Sequence, residues 1–213
     1  MARKRFNSSY TLWIIIINVV AFIIGLVILN NYGESEISLI ALQPAAVLAG
    51  KNLWTFITSM FMHANLTHLF VNMLSLLFIG SFVERLIGKR RFLIFYLASG
   101  IIAGLFFVLI TFLFSGDMDI YAVGASGAIF GLGGLLAVLT PKLKVLVFFI
   151  IPMPMWIAMI FLLGILWLIS ITSGLAIGNS AHLGGLIAGL AYGFYLKLKY
   201  PAKTRMIQRY FSR

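Results

Sequence analysis

Residues 121–139 read YAVGASGAIFGLGGLLAVL, and the placement of this stretch decides the fold. Its uncharged run from Ser126 to Leu139 stops at Thr140, Pro141 and Lys142, residues that suit the end of a span at a membrane surface. At 1.5 Å per residue a helix over this run rises only ~21 Å, against ~30 Å of hydrocarbon. With one end held at the interface, Ser126 sits roughly 9 Å below the opposite edge of the hydrocarbon. A helix start at that depth has unpaired backbone N–H groups, which lipid does not tolerate unless a water-filled cavity lies beside them. The run therefore predicts a short helix enclosed by longer ones.

The flanking sequence supplies those longer helices. The 213-residue chain is 62% hydrophobic and only 10% charged, with a mean hydropathy of +1.08, outside the range of a soluble domain. Six spans are expected, at about 11–29, 66–86, 92–114, 126–139, 154–171 and 181–198. Continuous runs of this length exclude a membrane barrel, whose strands alternate over ~10 residues. The basic amino end followed by a long apolar stretch imitates a signal peptide, but no small-x-small cleavage site follows, so a retained first span is expected. One domain covers 1–213, with a short basic segment at 1–10 and a tail at 199–213. The segment from Asn30 to Asn65 holds half-apolar pieces and is expected to lie ordered in the outer interface, with Trp54 at that level. In "KVLVFFIIPMPMW", Pro152 and Pro154 interrupt an apolar run, and the fifth helix is taken to begin at Pro154.

The formal charge of +11 is spread between the spans and does not gather on one face. It is a topology signal and gives no reason to expect nucleic acid. With both termini cytoplasmic, every Lys and Arg except Lys51 falls inside, so 16 − 1 = 15, while Glu34, Glu36, Asp117 and Asp119 fall outside. The positive-inside rule thus predicts cytoplasmic termini in the cell membrane. The chain has no cysteine, which removes disulfides and thiolate metal sites from consideration.

Polar side chains within spans demand a reason. Ser126 opens span four and His182 opens span six; His63, His68 and Asn72 lie at the outer end of span two. Gly127, Gly131 and Gly134 fall on one face of span four, and Gly185, Gly189 and Gly193 repeat every four residues on span six. Two small faces permit close backbone approach, which would bring the imidazole of His182 to the hydroxyl of Ser126. A serine with histidine as general base follows. Phe130, four residues after Ser126, could stack on the imidazole. No acid is placed behind His182, so the expectation is a Ser–His dyad and not a triad. His68 and Asn72, at i and i+4, project together and with the Ser126 N–H could form an oxyanion hole. His63 is expected to point elsewhere and to give a supporting hydrogen bond at most.

Bland readings compete with each residue taken alone. A GASG stretch is most often a packing motif, a lone histidine at a helix start is as often structural as functional, and an asparagine in a span commonly bonds a neighbouring helix. A zinc site is disfavoured because H-x4-H lacks the i, i+4 pair and glutamate of H-E-x-x-H. Glu84 and Arg85 read as an interfacial anchor, and Met153, Met155 and Met159 as packing or lipid-facing residues.

The ordered set H-x4-H-x3-N (His63, His68, Asn72), G-x-S-G (Gly124, Ala125, Ser126, Gly127) and A-H-x-x-G-x-x-x-G (Ala181, His182, Gly185, Gly189) resembles the rhomboid family of intramembrane serine proteases in its six-span prokaryotic form. The resemblance covers nearly the whole chain. It implies an all-α polytopic bundle with a short, recessed fourth helix. It also implies peptide-bond hydrolysis with Ser126 as nucleophile and His182 as base and then acid, no metal or cofactor, and single-span transmembrane proteins as substrates in contact with membrane lipid. Three departures stand out. Trp54 is followed by Thr55 where the family often has arginine; Arg85 follows Glu84 directly; and Phe130 stands where tyrosine is frequent. Two other classes are weighed against this: a rhomboid-fold binding protein or chaperone that does not cut, and a small transporter, for which the expected inverted repeat is missing.

Overall fold

The structure, a computed structural model, describes residues 9–32, 34–115, 117–174 and 178–211; Arg3, Lys4, Arg5 and Arg213, used in the charge argument, lie outside the described residues. The chain opens with α1 (Tyr10–Tyr32) and crosses to the second span through a 3-10 turn (Glu34–Leu39), α2 (Pro44–Leu48), α3 (Thr55–Thr58) and a second 3-10 turn (Ser59–Phe61). The second span is α4 (Leu66–Ser75) and α5 (Ser81–Ile87), joined by the π-helical turn Leu76–Gly80. Next come α6 (Lys89–Ile110) with a π-helical extension (Thr111–Ser115), α7 (Ser126–Leu139), strands β1 (Lys144–Val147) and β2 (Ile151–Pro154), α8 (Met155–Ser173), α9 (Asn179–Lys199) and α10 (Pro201–Tyr210). Four helical stretches, Tyr10–Asn31, Leu66–Ile87, Lys89–Phe114 and Met155–Ser173, are long and apolar enough to cross a membrane. The fold is an all-α polytopic membrane bundle.

Its axis is α7. Every residue of this helix except Ser126 and Ala137 is buried. A helix apolar on all sides belongs at the centre, sheathed by others. The sheath approaches closely because both α7 and α9 are small where they meet: a Cβ on Gly185 would collide with the Gly127 carbonyl, and one on Gly189 with the Gly131 carbonyl. From α6, Ala103 sits where a Cβ on Gly127 would stand, and Ser99 fills the space beside Gly131. On the opposite flank Met159 of α8 packs over Gly133. Met155 and Met159 are thus packing residues, with α8 buried only through Met155, Ala158 and Met159 among the described residues.

The α5–α6 turn is made by Gly88, whose φ of 86° suits glycine, with Gly88 N–H donating to the Glu84 carbonyl. The first long loop is ordered, as expected: Trp54 Nε1 donates to the Leu39 carbonyl at 2.8 Å and Thr58 Oγ1 to the Ile40 carbonyl at 3.0 Å.

One element differs from the sequence reading. The run 144–154 is an antiparallel hairpin, with Lys144 opposite Pro154 and Val147 opposite Ile151, and α8 starts one residue after Pro154. Beyond Lys144 the strand pair is apolar on both faces, so no polar alternation reveals it and it reads as a broken helix.

Candidate active site

Three elements converge at one end of α7. The first is α9, whose register is fixed by the glycine contacts with α7. That register puts His182 Nε2 at 2.7 Å from Ser126 Oγ, hydrogen-bond distance. The imidazole is buried and Ser126 is half-buried. Phe130, one turn after the serine, stacks on the His182 ring with centroids 4.6 Å apart and planes 15° from parallel. His182 Nδ1 is buried and has no hydrogen-bond partner. Among the described residues no carboxylate is bonded to it, so the arrangement is that of a pair.

The second element is α4. Asn65 caps it: in an extended conformation (φ −161°, ψ 172°) its side chain accepts from the His68 backbone N–H at 2.8 Å. His68 is thereby held in the first turn, facing the segment 121–125 that precedes α7. Gly124, in the bend of that segment, has φ 119°, and a Cβ there would lie 2.9 Å from His68 Nε2, so the position requires glycine for both backbone and space. Asn72 is buried, and its Nδ2 donates to the His68 carbonyl at 2.8 Å. That uses one of the two amide hydrogens and leaves the other.

The third element is the segment 121–125 itself. Leu42 and Ala122 form a two-way backbone bridge, Leu42 N–H to the Ala122 carbonyl at 3.0 Å and Ala122 N–H to the Leu42 carbonyl at 2.9 Å. Gly124 N–H donates to the Ser59 carbonyl at 2.9 Å. The first loop therefore positions the residues leading into Ser126.

His63 departs from expectation. It does not point elsewhere: its ring meets His68 edge-on, with centroids 5.0 Å apart. Five positions before His68, His63 would face away from it on a helix, but it precedes α4 and follows Met62, which is extended (ψ 150°). Both of its ring nitrogens are buried. Burial, and then the neighbouring His68, push its pKa down to about 4. Among the described residues no group of three or more His, Cys, Asp or Glu is arranged to hold a metal ion.

Sequence reasoning overlooked several buried polar residues. Asn179, one turn before His182 at the start of α9, is buried with its Oδ1 unpartnered. Asn18 and Ser99 are fully buried within α1 and α6. An asparagine or serine among the apolar residues of a span was the available signal.

Comparison with known proteins gives the same direction. The rhomboid domain family model matches residues 50–199. Rhomboid-like protease 3 of Toxoplasma gondii is 31% identical over 189 residues, covering 86% of this chain and 67% of that protein. Rhomboid protease GluP of Bacillus subtilis is 35% identical over 145 residues, covering 68% of this chain and 26% of that protein, so this chain spans about a quarter of GluP. An inactive RHOMBOID-like protein 8 of Arabidopsis thaliana is 35% identical over 89 residues, 42% of this chain and 24% of that protein.

Proposed function

The chain belongs to the rhomboid family, and on that footing we propose that it is an intramembrane serine endopeptidase working through Ser126 and His182. The single observation that carries the reading is the 2.7 Å approach of His182 Nε2 to Ser126 Oγ beside a helix start. A serine hydroxyl is a weak nucleophile until a base takes its proton, and an imidazole at that distance can do so.

Ser126 Oγ attacks the substrate carbonyl carbon as its proton passes to His182 Nε2. The carbonyl π electrons move to oxygen, and the resulting oxyanion accepts hydrogen bonds from the Ser126 N–H, the free amide hydrogen of Asn72 and His68. Collapse breaks the C–N bond, the imidazolium returns its proton to the leaving amine, and an acyl-enzyme remains. Water, deprotonated by the same imidazole, releases the carboxylate product and restores Ser126. Without an acid at Nδ1, the imidazolium rests against the electron-rich face of Phe130. The substrates are transmembrane proteins cut within or near the outer part of the bilayer. Gly124 and His63 support His68, one by leaving room for it and the other by packing against it. The remaining parts of the reading are one domain over 1–213, no cofactor, and both termini cytoplasmic in the cell membrane.

The second reading is a rhomboid-fold protein that binds spans without cutting them, favoured by the inactive relative from Arabidopsis. Reconstitution in liposomes with a single-span substrate carrying small residues near its outer end separates the two. A protease yields two fragments with the wild type and none with Ser126→Ala; a binding protein retains the substrate intact in both.

A further inference from the structure

Between α7 and α8 the chain spends eleven residues on a hairpin that the site does not use. From Val145 to Met155 it carries no charged or polar side chain, and the loop Phe148, Phe149 and Ile150 is exposed, Ile150 at 78%. Phe148 and Phe149 have φ of 50° and 61°, left-handed backbone that bulky residues avoid. A hairpin tip that faced water would favour asparagine and glycine there. Two phenylalanines at such a cost need an apolar surrounding to offset it.

The direction of the hairpin supplies one. Its root is fixed to the foot of α8 by Met155 N–H to the Leu143 carbonyl at 2.8 Å. Its tip runs beside that helix: the Phe148 ring meets Phe161, centroids 6.2 Å apart, six residues along α8 or about 9 Å from its start. The tip therefore lies at the depth of a membrane-spanning helix, while Lys142 and Lys144, both exposed, stay at the root.

Backbone chemistry points the same way. Proline cannot donate to a ladder, so the donating pairs are Val145 with Met153 and Val147 with Ile151. The outward nitrogens of β2 are then those of Pro152 and Pro154, neither of which bears a hydrogen. A lipid-facing edge must carry no unpaired N–H, and an edge without donors is also a poor template for another strand.

We propose that the Lys144–Pro154 hairpin is a lipid-inserted anchor. Phe148, Phe149 and Ile150 sit among the acyl chains of the leaflet at which α7 ends, and Lys142 and Lys144 lie at its anionic headgroups. It is continuous with the foot of α8, where Met155, Ala158 and Met159 are the buried residues of that helix, and it is independent of whether Ser126 is catalytic.

The absence of cysteine makes the test direct. Full-length Ile150→Cys, and separately Leu146→Cys and Lys142→Cys, are labelled with an environment-sensitive fluorophore and placed in liposomes of phosphatidylcholine and phosphatidylglycerol. Proteins whose thermal transition matches wild type are used. The expected result is that the label at 150 emits to the blue and loses most of its emission to phospholipids with spin labels on the acyl chains. At 142 the loss comes from aqueous iodide instead. Iodide quenching at 150 equal to that at 142 would place the tip in water and overturn the proposal. Quenching by neither agent would mean a second copy or a protein partner covers the tip, and would overturn it equally.

Discussion

The Glu84 carboxylate and Thr11, 73 positions apart, form a double hydrogen bond in which Glu84 Oε2 accepts from the Thr11 N–H at 2.9 Å and from its Oγ1 at 2.7 Å. Ser9 Oγ adds a bond to the same oxygen and the Tyr10 N–H donates to Oε1. A carboxylate thereby satisfies the open donors at the start of α1, where an anion is also favoured by the helix dipole. Glu84→Ala leaves the two buried Thr11 donors unpaired, at about 1–3 kcal/mol each. The expected outcome is a lower melting temperature in detergent and a first span more open to protease than the rest, while Arg85→Ala changes little.

Helix contact through glycine is the second testable feature. Gly185→Ala would set a methyl against the Gly127 carbonyl, a backbone atom that cannot swing aside. Overpacking of this kind costs about 1–3 kcal/mol, and here it also moves His182 away from Ser126. Gly164→Ala on α8, where a Cβ meets nothing within 4 Å, is the control. Substrate cleavage by the Gly185 variant is expected to fall steeply and that by the Gly164 variant to persist.

Asn72 tests the proposed oxyanion site. Removing one donor of such a site typically lowers kcat by about 10²–10³-fold with little change in KM. Asn72→Ala should show that split in the liposome assay. A rise in KM alone would make the residue a substrate contact.

His63 gives a pH dependence. Its folded pKa of about 4 lies below the ~6.5 of an unfolded histidine. The unfolded chain therefore binds the extra proton between those values. His63 contributes stability that is complete above about pH 6.5 and is lost as pH falls toward 4. Melting temperature should drop between pH 7.5 and pH 5, and His63→Gln should flatten part of that slope whatever its absolute value. An unchanged slope would assign the pH dependence to other groups.

Much of this architecture was legible because apolar length and charge placement are coarse, strong signals. The bounds of α7, Ser126 to Leu139, follow from a glycine-led start and a Thr-Pro-Lys stop. The approach of α9 follows from glycines spaced by four. Other features depend on distance or on unusual backbone. The partner of Glu84 lies in the first turn of the first span, 73 positions away, which no local pattern reveals. His63 was placed by helical spacing outside a helix. The hairpin has apolar residues on both faces, so neither a period of two nor one of 3.6 emerges, and its left-handed phenylalanines contradict turn chemistry.

Covalent labelling of the purified protein with a fluorophosphonate, read by intact mass and peptide mapping, tests the central claim most directly. The account predicts one adduct per folded chain, on the peptide containing Ser126, and none in Ser126→Ala or His182→Ala. A folded wild type that takes no adduct, or labelling that survives Ser126→Ala, would contradict it and make Ser126 a packing residue between α7 and its neighbours.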